Sequence, residues 1–193
     1  MALSSNESKG QEFLVSPDDV RAAVRALQAK VPEAQFARIR EVCPDWFMEA
    51  ALYARENHVE QAIAICIRHE QFLTKNKWYR VDPASLAPAM GQGLHKLLHK
   101  RDVAGRVVFT FDFPQVNFDE YSVENCQQVA FFLLKNALQD EEVRKKGFTM
   151  LVDLRGFTFK VLRSIGRRDR SRGIGMIQNC LPVRMKVACV RSN

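Results

Sequence analysis

The sequence lacks a long apolar run. Its longest fully apolar stretches span four to six residues, such as residues 129–134, whereas a helix that crosses a bilayer needs roughly 20. The N-terminus has no basic start followed by an apolar core, so no signal peptide is predicted. Ala2 excludes N-terminal myristoylation. These absences favour a cytoplasmic protein.

Cysteine is sparse and follows no metal or redox spacing. The five cysteines are odd in number, lie far apart and include no C-x-x-C pair. They are Cys43, Cys66, Cys126, Cys180 and Cys189. Without a signal peptide, they are interpreted as free buried thiols in a reducing cytosol.

Catalytic and cofactor motifs are also missing. No P-loop and no G-x-S-x-G is present, and the glycine pairs at 91–93 and 173–175 lack the strand–turn–helix context of a dinucleotide site. His95 and His99 have the i, i+4 spacing of metal ligands but no third ligand. Asp153 ends a predicted strand without a nearby nucleophile or histidine, so it is expected to hydrogen-bond the following loop. The sequence therefore predicts neither an enzyme nor a bound cofactor or metal.

The charge is strongly uneven. Residues 155–193 contain ten Lys or Arg residues and one acidic residue, so their net charge is +9. Residues 1–154 contain nineteen Lys or Arg residues and twenty-one acidic residues, so their net charge is −2. A positive end of this kind attracts phosphates on nucleic acid, phosphoinositides or an anionic membrane. The hydrophobic fraction of 47% is typical of a globular protein.

Periodicity predicts an α/β protein in which an N-terminal helical layer precedes a sheet. Residues 1–14 are expected to form a disordered tail. Helices are predicted over 16–76, where Ser16 and Pro17 start the first one. A loop with helical turns is predicted over 81–100 from Pro83, Pro88, Gly91 and Gly93. Leu94, Leu97 and Leu98 have the spacing of one final helical turn.

The second half of the chain alternates strands and helices. Strands are predicted over residues 106–113, 148–154 and 183–190, with helices over 122–139 and 159–180. This β-α-β-α-β order is typical of a parallel sheet with covering helices.

Four stretches of the chain resemble the CRAL-TRIO family of lipid-binding proteins. They are RDVAGRVVF at 101–109, GFTMLVDLRGF at 147–157, QNCLPVRMK at 178–186, and, upstream, Ala54-Arg55 with VEQA at 59–62. The resemblance implies an N-terminal helical segment over 15–80 and an incomplete lipid-binding domain over 81–193. It departs from the family at Arg155, where Glu or Lys is usual, and at Glu49, where a hydrophobe is usual.

The family resemblance implies binding and transfer of a hydrophobic lipid of the retinoid, tocopherol or phosphoinositide class. Arg184 and Lys186, two apart on a strand and therefore on one face, would meet the phosphates of an anionic head group together with Arg55. The expected lipid pocket is lined by Ala130, Leu134, Phe148, Phe157, Phe159, Met176, Ile177, Leu181, Val183 and Met185. The alternative interpretation of those ten residues is an ordinary packed core.

The resemblance also implies that the chain ends before the family's gate helix and last strands. Impaired transfer and self-association through an unpaired sheet edge are the corresponding expectations. The expected partners are a lipid ligand and an anionic membrane surface, bound peripherally.

A different class of function is left open by the basic run at 163–172. In this alternative, residues 155–193 form an interaction module for anionic membrane or nucleic acid. No aromatic residue is interleaved with these charges and no helix-turn-helix, RRM or zinc-finger spacing is present, so nucleic acid is not the expected partner.

Overall fold

The computed structural model describes residues 13–79, 82–112, 122–153, 155, 163 and 166–190. Most of the predicted N-terminal tail lies outside them. The helical layer consists of α1 (Pro17–Lys30), α2 (Glu33–Val42), α3 (Asp45–Ala54) and α4 (Val59–Lys75). Ser16 caps α1 as predicted, because its hydroxyl accepts from the Asp19 amide at 3.2 Å while the Asp19 carboxylate accepts from the Ser16 amide at 2.8 Å.

Four strands form one mixed sheet in the order β1 (His95–Arg101), β2 (Val107–Asp112), β3 (Phe148–Asp153) and β4 (Met185–Val190). Strands β2, β3 and β4 are parallel, and β1 pairs antiparallel with β2. The predicted α/β class, with a helical layer before a parallel β-α-β-α-β unit, is confirmed.

The prediction of a loop with helical turns over 81–100 holds for Pro83–Gly91, which is helical, but its final turn was wrong, because His95–Arg101 is strand β1. Leu94 is buried and Leu97 packs against the core, but Leu98 is 41% exposed, as alternation along a strand requires. Helical spacing was misleading here because pairing with β2, a long-range interaction, decided the conformation. The edge position of β1 in the described sheet agrees with its many Lys, His and Arg residues.

Further helices lie between and around the strands in the sequence. They are α5 (Pro83–Gly91), α6 (Val123–Ala137), α7 (Glu141–Lys146), α8 (Arg167–Gly175) and a π-helix (Met176–Cys180), with a 3₁₀ turn at Lys77–Tyr79. Helix α6 packs against β1. The short α7 was not predicted; Asp140 caps it by accepting from the Glu142 amide at 2.8 Å. A helix was predicted over 159–180. In the described part of this range, the structure has α8 followed by the π-helix.

One face of the sheet packs against the helices. Phe109 and Phe148 on this face are fully buried, and Leu134 of α6 is fully buried in the same core. Apolar residues from α1 through α4 belong to this core as well. A single hydrophobic core therefore crosses the boundary expected near residue 80.

The helical layer is also joined to the sheet unit by polar contacts. The carbonyl oxygens of three consecutive π-helix residues accept from its side chains: Gln178 from Arg55 Nη2 at 3.4 Å, Asn179 from Arg68 Nε at 3.1 Å, and Cys180 from His69 Nδ1 at 2.7 Å. Such contacts satisfy carbonyls that the end of a helix leaves without intrahelical partners.

Glu49, the unusual residue of α3, has a structural partner. Its carboxylate lies 3.0 Å from Arg144 Nη2, and the two side chains are 21% and 9% exposed. Arg144 also donates to the Leu138 and Gln139 carbonyls at 3.1 and 2.7 Å. This ion pair ties α3 to α7.

Candidate functional site

The sheet face that points away from the helical core carries an ordered set of side chains. Val108 of β2, Thr149 of β3 and Lys186 of β4 are neighbours in the parallel register and lie on this face. Thr110 and Leu151 form the next row. Lys186 is exposed, and the other four residues are half-buried.

The amino end of this face is positively charged. Arg184, just before β4, is exposed and donates from Nη1 to the Lys145 carbonyl at 2.8 Å. Arg184 and Lys186 have no carboxylate within ion-pair distance among the described residues. They therefore form a pair of cations available to an anion.

Gly147 fixes the backbone beside Arg184. Its φ is +82°, and a Cβ there would lie 2.5 Å from the Arg184 carbonyl oxygen, which accepts from the Phe148 amide at 2.8 Å. Only glycine combines this φ with so close an approach. The glycine thus sets the position of the strand that carries the cations.

Thr149, the register partner of Lys186, contacts an acid that already has its hydrogen bonds. Asp102 Oδ2 accepts from the Thr149 hydroxyl at 2.6 Å, and Oδ1 accepts from the Ala104 and Arg106 amides at 2.9 Å each. Burial acts to raise the pKa of Asp102, but these hydrogen bonds outweigh it and the pKa is lowered. Asp102 is therefore a stable anion committed to the β1–β2 hairpin.

The carboxyl end of the face is acidic. Asp112 and Asp153 are paired in the register, and Asp153 accepts from the Arg155 amide at 2.9 Å and from Arg155 Nε at 2.8 Å. This confirms the predicted hydrogen bond from Asp153 to the following loop. Asp112 Oδ1 and Thr110 Oγ1 are buried without a hydrogen-bond partner among the described residues.

Arg55 lies in a different set of contacts from the β4 cations. It is half-buried at the end of α3, and donates to the Ala54 carbonyl at 3.1 Å and to Gln178. Glu56 and Asn57, which follow it, have φ of 49° and 63° and turn the chain into α4. Its predicted role at a head group stays a prediction.

The described side chains among those predicted to line a pocket belong to the hydrophobic core on the opposite side of the sheet. Five are buried and three are partly buried in the hydrophobic core: Ala130, Leu134, Phe148, Met176 and Leu181, and Ile177, Val183 and Met185. Phe157 and Phe159 lie outside the described residues. The eight described side chains pack against one another and against helices, so their role as a lining stays a prediction.

Val108 and Leu151 were not selected from the sequence. Their signal was the alternation along β2 and β3, which puts them on the face opposite Phe109 and Phe148. Strand β3 is apolar at four of its six positions, so its composition alone does not indicate which face packs against the core.

The two histidines of β1 lie in different environments. His95 is buried against the rings of Phe109 and Phe111, whereas His99 is exposed. Among the residues that the structure describes, no group of three potential metal ligands occurs. In the same part of the chain, no helix combines the length and the apolar character that crossing a membrane requires.

A comparison with known protein families matches residues 92–191 to the CRAL/TRIO domain. The match begins just before β1, includes all four strands and covers more than half of the 193 residues. Domains of this family bind hydrophobic lipid ligands, so lipid binding is the general function of the chain. The chain belongs to the CRAL/TRIO domain family.

Proposed function

We propose that the chain binds an anionic phospholipid of the phosphoinositide class on the sheet face that carries Val108, Leu151 and Lys186. The acyl chains lie over Val108 and Leu151, and the head-group phosphates meet Arg184 and Lys186. One observation carries this proposal: apolar side chains and two cations without carboxylate partners share one face of the described sheet.

The opposite face is a poorer candidate for the lipid. Phe109, Phe148 and Leu134 are fully buried there, so a ligand in their place would have to displace core side chains. Removing one such side chain from a core typically costs about 2–5 kcal/mol, so displacing several would be prohibitive. Val108 and Leu151 are half-buried, so a ligand over them displaces no fully buried side chain.

The energetics divide between the two ends of the ligand. Removal of the acyl chains from water contributes roughly 25 cal/mol per Å² of apolar area. The phosphates contribute charge-assisted hydrogen bonds to Arg184 and Lys186 and select the head group. In the same proposal, Arg55 near the π-helix adds positive charge that attracts the anionic head group.

The proposed action is binding and transfer of an unchanged lipid between membrane surfaces, without a chemical step. The chain would act in the cytoplasm and visit membranes peripherally. The recovered lipid should therefore have the same mass before and after incubation with the protein.

The test is binding of the 193-residue chain to phosphatidylcholine vesicles with and without phosphatidylinositol bisphosphate. Arg184→Glu with Lys186→Glu should weaken binding to the phosphoinositide vesicles by about tenfold or more and leave binding to neutral vesicles unchanged. Arg25→Glu with Lys77→Glu is the control, because both are exposed and the change in net charge is identical. An equal loss on both vesicle types would refute the head-group role.

A further inference from the structure

A groove between α4 and α8 is lined by two facing helical stripes. Each stripe has the i, i+3, i+4, i+7 spacing that puts side chains on one side of a helix. The stripes are Arg68, Gln71, Phe72 and Lys75 on α4 and Arg168, Ser171, Arg172 and Gly175 on α8, with Asn76, Asn179 and Cys180 completing the lining. The cavity volume is about 490 Å³.

Among the described residues of the lining, four are cations and none is an acid. Lys75 and Arg168 are exposed, and neither has a carboxylate within ion-pair distance among the described residues. Arg68 is held by the Asn179 carbonyl through its Nε at 3.1 Å. Like charges on facing helices repel, so the groove has a net attraction for an anion placed between them.

Two side chains of the lining, Arg172 and Phe72, are held in place by their neighbours. Arg172 is fixed by Glu124 at 3.1 Å and by Asp169 at 2.6 Å, with a side chain that is only 17% exposed. The Phe72 ring is half-buried and lies against the Tyr79 ring, with centroids 4.7 Å apart. The groove therefore combines an ordered floor with two exposed cations at its rim.

We propose that this groove binds a compact molecule or head group that carries two or more phosphates. Its volume lies within the roughly 300–1,000 Å³ range of small-molecule sites. Arg and Lys on both walls provide donors to phosphate oxygens from opposite sides, which favours several phosphates on one small scaffold over a single anion. Arg184 and Lys186 are not part of its lining, so the site is separate from the sheet face proposed above.

A nucleic-acid strand fits the groove less well. Phe72 is the one aromatic residue in the described part of its lining, whereas binding of a single strand uses successive aromatic stacking platforms. The described walls also extend over only about two turns of each helix, which matches a compact ligand.

The test measures binding of inositol hexakisphosphate to the full 193-residue chain by calorimetry. Lys75→Glu with Arg168→Glu should weaken binding at least about tenfold. Arg25→Glu with Arg167→Glu is the matched control, since Arg167 adjoins Arg168 but does not line the groove, and it should change the affinity less than about twofold. The neutral pair Lys75→Gln with Arg168→Gln should give an intermediate loss and serves if the Glu variants do not fold.

Parallel arms identify the source of the phosphates. The same variants are tested on vesicles with phosphatidylinositol bisphosphate and on a single-stranded oligonucleotide. A specific loss with the soluble polyphosphate, or with the vesicles alone, supports the groove and indicates a free ligand or a lipid head group respectively. The groove proposal would be overturned by any of three results. The groove and control variants lose the same affinity, neither variant loses affinity, or only binding of the oligonucleotide is weakened. Arg184→Glu with Lys186→Glu should leave binding of the soluble polyphosphate within about twofold, which separates this test from that of the sheet face.

Discussion

The imidazole Nδ1 of His69 lies 2.7 Å from the carbonyl oxygen of Cys180, which joins α4 to the π-helix 111 residues later in the chain. The histidine is fully buried and its ring contacts those of Phe47 and Phe131, with centroids 4.4 and 5.9 Å away. It therefore connects the helical layer to the segment that leads into β4, the strand of the candidate cations.

Replacement of His69 by Ala should destabilise the protein strongly. The variant loses a buried hydrogen bond and the ring contacts, for a cost of about 3 kcal/mol. Chemical denaturation monitored by circular dichroism gives the change in free energy of unfolding. His58→Ala is the control, because His58 is exposed and its side chain does not cap α4, and its effect should stay within about 0.5 kcal/mol. Similar costs for both variants would contradict the assigned role of His69.

Gly147 should be intolerant of a side chain. Gly147→Ala places a Cβ 2.5 Å from the Arg184 carbonyl oxygen at a φ of +82°, and we expect a loss of about 2 kcal/mol together with weaker binding of phosphoinositide vesicles. In Gly91→Ala, by contrast, the new Cβ meets nothing within 4 Å, so stability should be unchanged or slightly higher. Thermal melts of the two variants make the comparison, and equal melting temperatures would show that the strand position does not need this glycine.

The Glu49–Arg144 pair should show energetic coupling. Both side chains are largely removed from solvent. Either single change, Glu49→Gln or Arg144→Met, should therefore lower the free energy of unfolding by about 2 kcal/mol, which is more than a surface ion pair contributes. The double variant should cost less than the sum of the two. A double-mutant cycle measured by denaturation gives the coupling, and strict additivity would mean that the pair contributes nothing.

Acid should destabilise the protein through His95. Burial lowers its pKa from 6.5 to about 3, so the native state excludes a proton that the unfolded chain takes up below about pH 6.5. Its contribution to stability is complete above that pH and falls by up to about 1.4 kcal/mol per pH unit as the pH drops toward 3. His95→Phe, which keeps an aromatic ring between Phe109 and Phe111, should have a flatter profile of unfolding free energy between pH 6.5 and 4.5. Parallel profiles for the two proteins would show that His95 titrates normally.

The sequence was informative where local rules agree with the final packing. The Ser16 cap predicted the start of α1, and the β-branched and aromatic residues of β2 predicted a strand. Strand β1 was missed because Leu94, Leu97 and Leu98 have helical spacing. Pairing with β2, which the local sequence does not show, makes the segment a strand. The sequence of β3 did not indicate which face of the sheet packs on the core, because Met150 and Leu151 are equally apolar although they lie on opposite faces.

The candidate sites depend on long-range geometry that no local pattern encodes. Lys75 and Arg168 are 93 positions apart in the sequence. They line one groove only because the π-helix, which follows α8, packs against α4. Lys186 was identified from its spacing with Arg184. Its neighbours on the sheet face, Val108 and Thr149, required the register of three strands.

The lipid content of the purified chain and of Leu151→Trp tests the central claim most directly. Native mass spectrometry followed by lipid extraction would be applied to both, with Val103→Trp as the control, since Val103 is fully exposed in the β1–β2 hairpin. We predict that the unmodified chain and the control carry a phospholipid of unchanged mass, and that the folded Leu151→Trp protein loses it because the larger side chain occupies the proposed acyl-chain position. Retention of the same amount of lipid by folded Leu151→Trp would contradict the assignment of the ligand to this sheet face.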